Sequence, residues 1–79
     1  MQLTYDPRYN VAYLQLKEQD EQVRTVTVSP DLNVDVSEDG TVYGIEFLNA
    51  NEQLFGAENG HLEVINSVLG TSRVLALQP

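Results

Sequence analysis

Val34-Asp35-Val36-Ser37-Glu38-Asp39-Gly40-Thr41-Val42-Tyr43-Gly44-Ile45-Glu46-Phe47-Leu48 contains two alternating runs joined by a turn signal. Before the turn, Leu32, Val34 and Val36 point one way while Asn33 and Asp35 point the other. After it, Tyr43, Ile45 and Phe47 share a face opposite Val42, Gly44, Glu46 and Leu48. A period of two is the signature of a strand with one face buried. Asp39-Gly40 supplies the positive φ that a tight hairpin requires. The stretch therefore predicts an antiparallel hairpin, with Asp35 opposite about Tyr43 to Gly44 and not opposite Glu46.

The same rhythm extends toward the N-terminus. Gln2 to Tyr5 reads as a strand turned by Asp6-Pro7, and Val11 to Lys17 returns with Ala12, Leu14 and Leu16 on one face and Val11, Tyr13 and Gln15 on the other. Residues 17–22 (KEQDEQ) form a solvated connection. Val23 to Ser29 alternates again, with Arg24 near a sheet edge and its head in water, and Ser29-Pro30-Asp31 marks the next turn.

After Leu48 the pattern changes. Asn49-Ala50-Asn51 is a helix-start signal for a short turn through Glu52 to Phe55, stopped by Gly56. Further on, Leu62, Ile65, Val68 and Leu69 recur at roughly helical spacing, Asn59-Gly60 precede them, and Gly70 stands where a C-terminal cap belongs. That spacing predicts a helix from about His61 to Leu69, despite a β-branched content that suits helices poorly. Arg73 to Leu77 reads as a last strand or as a tail that docks on a partner. The expected fold is α+β: a small antiparallel sheet of about five strands with a C-terminal helix packed on it. It forms one domain over residues 1–79, with a sheet over 3–51 and a helical segment and tail over 52–79.

Seventy-nine residues build only a thin core, because a chain of this size buries about 60% of its unfolded surface. Small domains without disulfides or metal often gain burial by pairing with a copy of themselves. The chain has no cysteine, no basic-then-apolar leader and no long apolar run, which predicts a cytoplasmic location and no membrane span. Twelve acidic residues against four Lys and Arg give a formal charge of −8, which repels phosphate backbones and anionic lipid alike. No nucleic-acid partner is expected.

Several of these residues resemble a known family. Tyr5-Asp6-Pro7, Ala12-Tyr13-Leu14-Gln15-Leu16 and above all Val34 through Ala50 are similar to the small bacterial family of unknown function DUF2283. The resemblance spans about residues 3–51, and its most specific part is the hairpin with the Asp-Gly turn and Gly-Ile-Glu ending. It implies a small antiparallel sheet with a helix after the hairpin, and it implies no activity or site residue. Arg8-Tyr9-Asn10 departs from the acidic, Ala-containing stretch that the family carries after Asp-Pro, and the tail from about Glu52 runs beyond the resemblance.

Candidate chemistry is sparse. Asp31, Asn33 and Asp35 have the spacing that opens a calcium loop, but Val36 and Val42 stand where the motif needs Gly and Glu. A strand is the better account. Asp35 and Glu46 could divide acid and base roles, or with Asp6 ring a cation, but the hairpin geometry argues against the pair and solvated polar-face residues are the better account. His61, the one histidine, has Glu58 and Glu63 as its nearest acids in sequence and is expected to be water-exposed in a first helical turn. No serine has a nucleophile-elbow context and no glycine pair builds a phosphate loop. No catalytic, cofactor-binding or metal residue is assigned, and no cofactor is expected.

The tyrosines carry more information. Tyr5, Tyr13 and Tyr43 sit on predicted strands, and residues with an apolar body and a polar tip favour protein interfaces. Strand two is partly apolar on both sides, which calls for a cover, supplied either by self-association or by a two-layer fold within one chain. The expectation is a non-enzymatic interaction module acting as a homodimer, with a further protein partner possible. The alternatives are a small-ligand binder or enzyme using Asp6, Asp35, Glu46 or His61 across a dimer interface, and an antitoxin-like partner of a basic protein.

Overall fold

The computed structural model describes residues 1–56 and 60–77. Its elements run β1 (Gln2–Asp6), β2 (Val11–Gln15), β3 (Val23–Ser29), β4 (Leu32–Ser37), β5 (Val42–Leu48), α1 (Ala50–Phe55), β6 (His61–Asn66) and β7 (Thr71–Ala76). The first five strands form one antiparallel sheet in the order β1-β2-β5-β4-β3, and β6 and β7 form a separate two-stranded hairpin. Each alternating run of the first fifty residues is a strand, and Arg24 lies exposed on the edge strand β3.

Register sorts the two faces of the sheet, because directly opposite residues share a side. Leu3, Leu14, Ile45, Val34 and Val26 fall in one line across all five strands. Tyr5, Ala12, Phe47 and Leu32 form the neighbouring line. The helix closes one end of this apolar face, where the Phe55 and Tyr5 rings meet edge-on with centroids 4.8 Å apart. Ala12 and Ala50 are fully buried, yet none of the five aliphatics in the central line is. The apolar face is therefore incompletely covered.

Two connections lock the ends of the sheet. Asn10, in the left-handed region at φ 55°, ends the β1–β2 turn, and its carbonyl accepts the Ala50 N–H at 3.0 Å. Its side chain accepts the Asn51 N–H at 2.8 Å and donates to Asn51 Oδ1 at 2.6 Å. Asn tolerates this conformation better than most residues because its short polar side chain bonds locally. At the other end, residues 16–22 cross from β2 to β3 over Tyr43, which is 2% exposed. The Tyr43 hydroxyl donates to Asp20 at 2.6 Å, and the Lys17 ammonium stands 5.0 Å from the ring centroid.

The turn between β4 and β5 is a three-residue loop rather than a two-residue one. Gly40 donates to the Ser37 carbonyl at 3.0 Å, Ser37 donates to the Thr41 carbonyl at 2.9 Å, and Gly40 has φ 90°. This is a type I turn followed by a bulge that needs a left-handed residue. Asp39 Oδ1 accepts bonds from the Ser37 hydroxyl, the Thr41 hydroxyl and the Thr41 N–H. Those bonds, led by the one from Ser37, hold the carboxyl down at about 2.

The expected C-terminal helix is corrected. His61 to Asn66 is a strand, residues 67–70 are a hairpin loop, and Thr71–Ala76 pairs back with it, Leu62 opposite Leu75 and Val64 opposite Arg73. Gly70, at φ 70°, closes the loop by donating to the Asn66 carbonyl at 2.8 Å, and Asn66 Oδ1 accepts the Val68 and Leu69 N–H groups at 3.1 Å. Val64, Ile65 and Val68 favour the extended chain, and a cross-strand partner decided the matter. Asn59, half of the proposed helix-start signal, lies outside the described residues. The short helix expected through Glu52 to Phe55 is present as α1, so helix is a small part of an α+β fold dominated by antiparallel strands.

Gly40→Val is expected to destabilise by more than about 1 kcal/mol, because a β-branched residue resists positive φ; an unchanged urea midpoint would contradict the turn. The Asp39 carboxyl has a folded pKa below the ordinary 3.8, so its stabilisation is complete above that value and is lost as pH falls through about 2. The difference in urea midpoint between the parent and Asp39→Ala is accordingly expected at pH 6 and should narrow toward pH 2.

Candidate functional site

The other face of the sheet is polar, and its side chains are tied to one another. One line reads Thr4, Tyr13, Glu46, Asn33 and Thr27, and the next reads Gln2, Gln15, Gly44, Asp35 and Thr25. The Tyr13 ring, on β2, leans across β5 at Gly44, where any Cβ would collide with the ring. Glycine inside a strand often marks such a close approach. Beyond it the Tyr13 hydroxyl donates to Asp35 Oδ2 at 2.8 Å, and the Thr25 hydroxyl, on β3, donates to Asp35 Oδ1 at 2.7 Å. Glu46 Oε1 accepts from the Asn33 amide at 2.8 Å.

This row runs across four strands with a carboxylate as its acceptor, so each bond is charge-assisted. Burial, then the bond to Asp35 and the charges of Asp35 and Glu46, push the Tyr13 phenol up to about 12. A tyrosine held protonated is a donor and a poor base near neutrality. What the arrangement does best is fix the positions of β2, β5, β4 and β3.

Asp35 and Glu46 do share this face, in adjacent lines, and Asp35 lies opposite Gly44 as the turn geometry predicts. Glu46 faces Asn33 on β4 and Tyr13 on β2. Asp6 is not with them: it sits on the outer strand β1, where Arg8 bonds it at 2.9 Å and lowers its carboxyl from the usual range, the side-chain bond being the main cause. Asn33 and Asp35 are strand residues, so the calcium-loop spacing is strand alternation. His61 is exposed, at the start of β6 rather than in a helix, and Glu58 lies outside the described residues. Among the described residues, no three His, Asp or Glu side chains are placed to hold a metal ion.

Three arrangements were not anticipated from the sequence: Tyr13 reaching Asp35, Tyr43 reaching Asp20, and Asn10 stitching the first turn to the helix start. Gly44, an unexplained glycine in mid-strand, was the available signal for the first. The other two join residues 23 and about 40 positions apart and have no local signature.

Tyr13→Phe is expected to cost about 0.5–1.5 kcal/mol by removing one bond to a partly buried carboxylate. Gly44→Ala should cost more, because it displaces the whole ring. In a double-mutant cycle by urea denaturation, Gly44→Ala should be milder on a Tyr13→Ala background than in the parent. Additive effects would show that the ring does not depend on the glycine. The raised phenol pKa adds stability that is fully present below the ordinary 10 and is lost as pH climbs toward about 12.

No curated protein and no solved structure matches the chain. Residues 2–51 match the family described as a protein of unknown function (DUF2283), a region that takes in β1 to β5 and the start of α1 and stops before the hairpin of β6 and β7. That match covers more than half of the chain, and with it the sheet, the Asp-Gly loop and the Gly44 crossing belong to a protein of the DUF2283 family.

Proposed function

We propose that this chain is a non-enzymatic protein–protein interaction module that works in the cytoplasm as a homo-oligomer, in the first instance a dimer. The observation that carries the reading is exposed surface. The chain presents 6017 Å² to water, whereas a compact monomer of 8.8 kDa presents about 4,800 Å². The excess of about 1,200 Å² per chain, about 2,400 Å² for two copies, is more than the total of about 1,200–2,000 Å² that an ordinary stable interface buries.

Apolar side chains contribute to this excess: the incompletely covered aliphatic line on the five-stranded sheet and seven exposed apolar side chains from Leu62 to Leu75. Patches of this kind mark interaction surfaces. The polar face, by contrast, has its carboxylates engaged by Tyr13, Thr25 and Asn33, which supports a structural rather than a catalytic use of Asp35 and Glu46.

Light scattering at micromolar concentration should return a mass of at least twice 8.8 kDa. A mass of 8.8 kDa throughout a dilution series would overturn the proposal.

A further inference from the structure

The β6–β7 hairpin raises its own physical problem. All twelve residues of its two strands are exposed. A lone two-stranded hairpin is marginal in water, and stable ones need a third strand or an apolar surface to lie on. One side of this hairpin presents Leu62, Leu75 and Val64 together, while the other interleaves Ile65 and Val74 with Glu63 and His61. The first side is the one suited to burial. Arg73 shares it at the loop-ward end, where a long stem can carry the charge to water.

The same chain leaves a matching surface incompletely covered. The line from Leu3 through Ile45 to Val26 crosses five strands between α1 at one end and residues 16–22 over Tyr43 at the other, and none of its aliphatics is fully buried. Asp35 and Glu46 project from the opposite side, so this seat holds few charges. We propose that each chain lays the Leu62, Val64 and Leu75 side of its hairpin on the apolar face of a second copy's five-stranded sheet, so that the dimer is closed by two reciprocal arms. The inference rests on the self-association argued above and names its mode.

Charge favours an arm over direct contact between the two sheets. Ten of the twelve acidic residues fall between Asp6 and Glu52, against three of the four basic ones, so two sheet bodies repel when brought face to face. From Gly60 to Leu77 the only Asp, Glu, Lys or Arg residues are Glu63 and Arg73, which cancel. A neutral arm can cover an acidic body's apolar face without bringing like charges together. The arrangement is isologous: one surface pair, used twice, closes the assembly at two copies. The family region ends at residue 51, so the arm lies beyond it.

Cysteine pairing tests this directly, because the chain has no cysteine of its own. Full-length Ile45→Cys, tagged to differ in mass, is mixed with full-length Leu62→Cys or Leu75→Cys and oxidised. Disulfide-linked mixed dimers are expected, formed several times faster than with Ile65→Cys or Val74→Cys from the other side of the arm. Ile45→Cys linking chiefly to itself would overturn the arm placement and leave self-association standing. A chain carrying both Ile45→Cys and Leu62→Cys that closes on itself at 8.8 kDa would place the arm on its own sheet and overturn the exchange. A parent protein that is monomeric throughout would remove both proposals together. The unmodified chain offers a second readout: amide exchange in residues 61–76 should slow as concentration rises, and protection independent of concentration would contradict an arm ordered by a partner.

Discussion

Strand β5 is the constraint on which everything else hangs, since it alone pairs with a strand from each half of the sheet. The β1–β2 hairpin reaches it through β2, and the β3–β4 hairpin reaches it through β4. β2 and β5 are separated by two intervening strands in the chain, so their pairing must offset a long loop closure before it returns any energy. The residues that secure it are spread along its length. Ala12 is small enough to be fully buried beside Phe47, Gly44 lets the Tyr13 ring cross, and the Tyr43 carbonyl receives the N–H groups of both Leu16 and Lys17. Asn10 then pins the start of the helix to the turn ahead of β2.

The two faces of the resulting sheet have opposite fates. On the polar side, side-chain bonds run from strand to strand and satisfy the carboxylates that a reader of the sequence would first suspect of chemistry. Their satisfaction matters because a half-buried carboxylate without donors would cost more than its bonds contribute. On the apolar side, aliphatic residues cross all five strands, and none of them is fully buried. A sheet with one face packed and one face wet is ordinary; here the wet face carries its own network of hydrogen bonds and the face meant for packing is incompletely covered. The proposed self-association and arm exchange rest on that incomplete cover.

Much of the sheet was legible from alternation alone, because period-two patterning and a half-buried strand are the same fact seen twice. Val34, Val36, Ile45 and Phe47 show it, and Asp39-Gly40 announced the loop and so the register that sets Asp35 against Gly44. The segment from His61 to Leu69 was not legible in that way. Leu62, Ile65, Val68 and Leu69 satisfy a helical spacing while Leu62 and Val64 satisfy a strand spacing, and a short apolar run does not discriminate. Its partner, Thr71–Ala76, made the choice by supplying a second ladder, with Asn66 and Gly70 shaping the loop between them.

The sequence by itself determined the positions of β1 to β5, the sites of the turns between them, the absence of cysteine and the acidic charge, because each is a local property of a few neighbouring residues or a sum over the chain. Only the tertiary structure decided that Tyr13 bonds Asp35 across Gly44, that Tyr43 is capped by Asp20, and that the C-terminal segment is an exposed hairpin in place of a helix. Those outcomes depend on strand order and on which surfaces meet. Neighbouring residues carry no record of either, because the energies that choose among the alternatives come from contacts between segments far apart in the chain.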